Sequence, residues 1–332
     1  MHDQQVALVL IVVLAVGFDF MNGFHDAANA IATSVSTRVL SPRQAIMMAA
    51  VLNMVGALTG TAVAKTVGSG ILAPSVVTQQ VIIAALISAI IWDIFTWYLA
   101  LPTSSSHALI ASLIGAGMAV GGNNVSVLNL TGIKKVLVGL ICSPLVGFVI
   151  GLALMVLLFW LLRRTSPSVV TKRFKRWQIV SAAFMAYSHG SNDAQKTMGI
   201  ITMALVSSGH LKSFNVPLWV IVVCGVTMAA GTAGGGWRII RTLGMKLAHL
   251  KPVHGFAAET AAATVIEVAS RLGFPLSTTH VISSTIMGVG ASKRFSAVKW
   301  GVGGNIVVAW VLTLPACAAL AWVLCRLMMW FS

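Results

Sequence analysis

Long apolar segments with scarcely a charge in them constrain this chain more than anything else in it. Residues 6–18, 44–64, 81–101, 136–162, 216–230 and 302–325 are such segments. Several approach or exceed the roughly 20 residues that an α-helix needs to cross the hydrocarbon of a bilayer. Of the 332 residues, 58% are hydrophobic and 9% are charged, whereas a soluble globular domain carries roughly 25% charged residues. A surface this poor in charge has to face lipid or a protein interior. The expected class is therefore an all-α, multi-pass integral membrane protein, with lipid as a partner. Alternating strands of roughly ten residues, the mark of a membrane β-barrel, are absent.

The net charge of +15 raises the question of nucleic acid, and its placement answers it. Arg163, Arg164, Lys172, Arg173, Lys175 and Arg176 flank apolar segments, where the positive-inside rule puts them, so no nucleic-acid partner is expected. Met1 to Gln5 show no basic leader region and read as a mature terminus. Cys142, Cys224, Cys317 and Cys325 lie in apolar stretches without metal-ligand spacing and read as packing residues. No cofactor and no resident metal is expected.

The chain divides into halves that echo each other. Asn22-Gly23-Phe24-His25-Asp26-Ala27 is matched by His189-Gly190-Ser191-Asn192-Asp193-Ala194, and Pro102-Thr103-Ser104-Ser105-Ser106-His107 by Pro275-Leu276-Ser277-Thr278-Thr279-His280. Two matched motifs in the same order point to internal duplication, a habit of secondary transporters. The expected organisation is a first transmembrane repeat over 1–162, a basic cytoplasmic loop over 163–177 and a second repeat over 178–332. Arg38 and Arg43 also read as cytoplasmic, which puts both termini outside and makes the second repeat inverted relative to the first. Lys134 and Lys135 fall on the external side in this scheme, against the rule. The apolar pairs 81–120 and 257–292, each interrupted at its Pro-Ser/Thr motif, are either two crossings or one re-entrant hairpin, and charge counting leaves both open. Re-entrant tips near the midplane are the expectation. A hairpin entering from the cytoplasm would bury Arg271, with Glu267 one turn away as its partner or the bound anion as the alternative.

Of seven acidic residues, all but Asp3 lie within or beside apolar segments. An aspartate at membrane depth costs roughly 2.5–3.5 kcal/mol on insertion scales, so it usually faces a pathway. Asp26 and Asp193 are repeat-related, and Asn29 and Lys196 follow them by one helical turn. Carboxylate and amide oxygens suit a hard cation such as sodium, and a carboxylate can equally carry a proton. Asp26, Asn29, Asn192, Asp193 and His25 are the candidate coupling-ion residues, with Glu259, Glu267 and Arg271 as further candidates.

In the second motif a proline begins a helix without loss, and the Ser or Thr that follows can cap its free N–H groups. Such a helix start offers donors and a positive dipole end to an oxyanion. Two of them meeting would surround a tetrahedral anion. Ser104, Ser105, Ser106, Ser277, Thr278, Thr279 and Lys196 are the candidate anion-binding residues. A Ser-His-Asp enzyme is disfavoured, because His107 and His280 belong equally to both halves and a nucleophile needs one specialised copy. No catalytic residues are assigned. Without a Gly-x4-Gly-Lys-Ser/Thr loop, ATP is not an expected direct energy source.

At these motifs the sequence resembles the inorganic phosphate transporter family, Pit/PiT, over essentially its whole length and most closely in its bacterial members. The resemblance rests on Asn22 to Ala30, His189 to Lys196 and the two Pro-Ser/Thr-His motifs. It implies cation symport of inorganic phosphate, as the free ion or a metal-phosphate complex, with H+ or Na+ as coupling ion and a homodimer as a candidate assembly. Sulfate permeases of the same family are the substrate alternative, and an anion channel is the mechanistic one. Phosphate near neutral pH keeps a proton that it can donate to a carboxylate, and sulfate does not. The family pattern commonly has Asn-Asp with Asn three residues on. Here His25 precedes Asp26 and Lys196 stands where that second Asn would be. A lysine supplies the charge that sodium would bring, and a histidine exchanges protons near neutral pH, so protons are the expected coupling ion.

Overall fold

The structure is a computed structural model that describes residues 2–331, with side chains from residue 4 onward. Expectations for Met1, for Ser332 and for the side chain of Asp3 fall outside the described residues. The described residues form helices in an order that repeats. The first set is α1 (His2–Ser36), α2 (Pro42–Ala57), α3 (Ala62–Ser69), α4 (Gln79–Tyr98), α5 (Ser105–Val120) and α6 (Leu130–Leu162). The second is α7 (Pro167–Ser207), α8 (Leu218–Gly234), α9 (Trp237–Arg241), α10 (Pro252–Arg271), α11 (Thr278–Ala291) and α12 (Trp300–Trp330). Four helices are long and apolar enough to span a bilayer, and two bent pairs would raise the number to six. The faces of α6 and α12 that carry Ile141, Leu145, Val149, Val308 and Val311 are exposed, a surface that only lipid or a protein partner can cover.

Two details differ from the sequence reading. The basic stretch is not a loop: it turns over residues 163–166 and then forms the first turns of α7, where Ser166 and Pro167 supply the helix start. The apolar run 44–64 is not one helix either. It bends by 72° between α2 and α3, and α8 bends by 61° into α9 and its π turn Thr242–Lys246. The second bend sits at Gly235, whose φ of 65° is open to glycine at little cost.

The repeat-related helices α1 and α7 run antiparallel. Asp19 Oδ1 accepts from the Thr197 hydroxyl at 2.8 Å, and Thr37 donates to Gln178 Oε1 at 2.9 Å at the other end of the crossing. This is the packing that inverted topology requires. Repeat-related glycines set the helix spacing. A Cβ on Gly23 would lie 2.4 Å from the Met228 carbonyl oxygen, and one on Gly190 2.1 Å from that of Asn53. Gly56 and Gly231 close the same two interfaces, α2 with α7 and α1 with α8. Gly115 and Gly288 bring α5 onto α12 and α11 onto α6. Backbones this close gain dispersion contacts that larger residues would forbid.

The pairs α4–α5 and α10–α11 are helical hairpins. Ser112 donates to Ser88 at 3.0 Å and Thr103 to Thr96 at 2.9 Å, so α5 returns along α4. Gln79 donates to the Gln4 carbonyl at the start of α1, and the tip stops beside His25. From there α1 continues to Ser36, about 16 Å further at 1.5 Å per residue. The second hairpin starts beside Gln178 of α7 and stops beside Asn192, where Ser270 accepts from the Asn192 amide at 2.8 Å. The hairpins thus enter from opposite ends and meet midway, the form expected of re-entrant segments. Each tip is tied to the bent segment of the other half: Thr242 donates to the Ala100 carbonyl at 3.0 Å, and Thr66 to that of Gly273 at 2.7 Å.

Apolar packing lies on either side of this polar centre. One cluster includes Ile11, Phe18, Leu86, Leu109 and Ile201, and the other Ile31, Met155, Leu243, Ile266 and Ile282.

Candidate functional site

The site begins with the middle of α1 and α7. Both helices are buried there on nearly all sides, so polar residues have only each other and the hairpin tips to meet. Oxygens of Asp26 and Asp193 and a ring nitrogen of His189 lie within 4.8 Å of one another. Polar groups buried in this way need partners, and the two halves supply them reciprocally.

In the first half, His25 Nδ1 lies 2.7 Å from Asp26 Oδ1, and its Nε2 lies 3.2 Å from the Thr96 hydroxyl. Asn29 donates to Thr278 at 3.2 Å and to Thr279 at 2.9 Å, and Thr279 donates to Asp26 Oδ2 at 3.4 Å. In the second half, the Lys196 ammonium donates to Asp193 Oδ1 and to the Ser106 hydroxyl of the first hairpin. Thr278 donates to Asp193 Oδ2 at 3.0 Å, and His189 Nε2 lies 3.3 Å from the same oxygen. Asn29 and Lys196 occupy matching positions, and each reaches across to the opposite tip.

The tips meet directly. The Ser106 hydroxyl donates to the Leu276 carbonyl at 3.2 Å. The rings of His107 and His280 stand edge to face at 4.3 Å, and His280 stacks on Trp310 at 3.8 Å. Ser104 and Ser277 accept from the backbone N–H groups of His107 and His280, both at 3.2 Å, so their oxygens act as helix caps. Ser105 is buried with no hydrogen-bond partner, and so are both polar atoms of Asn22, Asn29 Oδ1, Asn192 Oδ1 and all four ring nitrogens of His107 and His280. Buried polar atoms without partners are costly. Their concentration at one place marks a site shaped for a polar ligand.

The further candidates divide. Glu259 is fully buried away from the tips. It accepts from Thr33 and Ser181, both at 2.5 Å, and from Gln178 at 3.1 Å. Arg271 does pair with Glu267, Nε to Oε1 at 2.8 Å, but the expectation that it is buried fails: its side chain is 75% exposed. The reason is a polar cleft of about 380 Å³ beside the second tip, lined by Thr59, Tyr187, Gln195, Glu267 and Arg271 among others. The bend between α2 and α3 leaves that space open. Sequence reasoning missed His189 as a member of the acidic cluster, although its place four residues before Asp193 on one helix face was a usable signal. It also left out Asp93, which carries no motif.

The comparisons with known proteins agree with this geometry. The model of the Phosphate transporter family matches residues 22–321. A probable low-affinity inorganic phosphate transporter of Rhizobium meliloti (strain 1021) is 51% identical, over 95% of this chain and 94% of its own length. One of the same description from Bacillus subtilis (strain 168) is 47% identical, over 95% of each. Among solved structures, one described as the sodium-dependent phosphate transporter superposes with a TM-score of 0.88 at 23% identity, covering 98% of this chain and 100% of that one. The fold is shared with that structure, and the sequence is shared at length with the bacterial relatives. The chain belongs to the phosphate transporter family, a family of membrane transporters and not of enzymes.

Proposed function

We propose that the chain is a secondary active transporter that moves inorganic phosphate across the cell membrane in symport with protons. The single observation that carries this reading is the Lys196 ammonium, held between Asp193 and Ser106 where the two hairpin tips meet. It offers a fixed positive charge to an anion and occupies the place beside Asp193 that a sodium ion would need. Around it, Ser105, Ser106, Thr278 and Thr279, with the starts of α5 and α11 that Ser104 and Ser277 cap, supply donors to a tetrahedral oxyanion. Asp26, Asn29, Asn192, Asp193 and His25 form the coupling side. Phosphate, unlike sulfate, brings a proton of its own to donate to these carboxylates. Neither the family nor the named relatives support the sulfate alternative.

The coupling ion does not carry over from the sodium-dependent neighbour, since likeness at 23% identity concerns the fold. Uptake by proteoliposomes decides it. A pH gradient without sodium drives phosphate accumulation, and a sodium gradient without a pH gradient does not. Strong uptake on sodium alone removes the proton reading. A metal-phosphate complex is a second form of the cargo, favoured by the gathering of Asp26, His189 and Asp193. Dependence of uptake on added Mg2+ tests it.

The sidedness follows from the basic residues: both termini external, the α6–α7 turn cytoplasmic. A cysteine placed at Ser168, exposed near the start of α7, is then labelled by an impermeant maleimide in inverted vesicles and not in intact cells. Labelling from outside rejects this orientation.

A further inference from the structure

We propose that Asp93 carries the coupling proton in the first half of the molecule. This rests on the proton-symport reading above and names the group that would perform it.

Asp93 lies on α4, four turns into the first hairpin, and is fully buried. Among the described buried acids it alone has neither carboxylate oxygen in a hydrogen bond. Asp26 is held by His25 and Thr279, Asp193 by Lys196 and Thr278, and Glu259 by three neutral donors. Asp19 has Thr197 on one oxygen. A buried carboxylate with no cation paired to it is strongly disfavoured as the anion, so the surroundings of Asp93 favour its neutral form while they stay closed.

Every element packed on α4 bears on this. From α1, His25 and Asp26 face Asp93, and Asp193 reaches it electrostatically from α7. From α5 comes the Ser105 hydroxyl, itself without a hydrogen-bond partner, and from α12 the buried Cys317. Arg238 of α9 is turned to the hairpin tip, where it donates to the Tyr98 carbonyl at 2.8 Å. Among the described residues, no lysine or arginine forms an ion pair with Asp93. The one cationisable group facing it is His25, whose Nε2 is linked through Thr96 to Thr103. Asp93 therefore joins His25 and Asp26 in one cluster of buried ionisable groups.

The second half has no acid at the matching position. Nine residues before its proline, where the first half has Asp93 before Pro102, stands Ile266 before Pro275. The two halves thus divide the work. Lys196 is paired with Asp193 on one side, and the Asp93 side changes charge. Loading forms one O–H bond on the Asp93 carboxylate with a proton from water on the entry side. Release breaks that bond and returns the proton to water on the far side, and nothing is oxidised or reduced.

The test compares Asp93→Asn with wild type in proteoliposomes, in two assays: accumulation driven by a pH gradient, and phosphate–phosphate exchange without a gradient. A one-unit pH gradient supports about ten-fold accumulation per coupled proton. The variant should lose that accumulation while exchange falls by no more than a few-fold. Accumulation equal to wild type overturns the proposal, and so does equal loss of both activities in folded protein. Wild type that ignores the pH gradient shows instead that the proton reading itself is at fault. Should Asp93→Asn not fold, Asp93→Glu decides: it keeps a titrating carboxyl, so accumulation persists with a displaced pH profile, and an unchanged profile overturns the assignment.

Discussion

Lys196→Asn lowers phosphate affinity on the order of a hundred-fold, and wild-type folding is not expected to survive it intact. Lys196 and Asp193 are both buried and in contact. Removing one partner of a buried pair strands the other charge, at a cost of about 3–5 kcal/mol. Part of that loss appears as stability and part as binding, because the ammonium also meets the Ser106 hydroxyl at the first tip. The measurements are phosphate binding to purified protein and its thermal unfolding. The double variant Lys196→Asn with Asp193→Asn recovers stability without recovering affinity, since it removes the stranded charge but not the need for a cation. If the lysine stands in for sodium, the single variant also gains a sodium response. A Lys196→Asn protein that binds and transports like wild type leaves the lysine without a role in coupling.

Ser105→Ala and Thr278→Ala each weaken phosphate binding by about ten-fold to a hundred-fold, the worth of one hydrogen bond to a charged group at about 1.5–3 kcal/mol. Ser105 makes no close hydrogen bond within the protein, and Asp93 is the group that its hydroxyl faces, so a ligand can take that hydroxyl. Thr278 is oriented by Asn29 and Asp193. The neighbouring Ser104→Ala and Ser277→Ala serve as controls. Their oxygens cap helices, so their loss is expected at about 1 kcal/mol of stability. Equal affinity in both Ser105→Ala and Thr278→Ala returns these residues to a capping role.

The sequence spoke most clearly where a residue type is costly at its depth. Asp26 and Asp193 are expensive in an apolar segment, and the two lie together at the crossing of α1 and α7. The Pro-Ser/Thr motifs announced helix starts, and α5 and α11 start there. What stayed hidden depends on backbone shape. The bend between α2 and α3 interrupts a long apolar run at residues 58–61, and the cleft where Arg271 is exposed lies beside it. Arg271 was assigned its partner correctly and its burial wrongly, since one-turn spacing fixes the first and only tertiary structure the second. Asp93, like Asp19, stood evenly between a structural and a functional role, because an acid without a repeat-related copy gives no pattern to read.

The glycine interfaces bear on how such a molecule can move. Where a backbone carbonyl sits over a missing Cβ, two helices mesh like teeth and have no lubricated surface along which to slip. Such contacts join α1 to α8 and α2 to α7, and they also join α5 to α12 and α11 to α6. The moving parts are therefore larger than single helices. Each hairpin travels with the long helix clamped to it, as a lever against the α1–α2–α7–α8 block. Among the ties between hairpin tips and the bent segments are the hydroxyl-to-carbonyl bonds at Ala100 and Gly273, which one rotation of a threonine side chain can release.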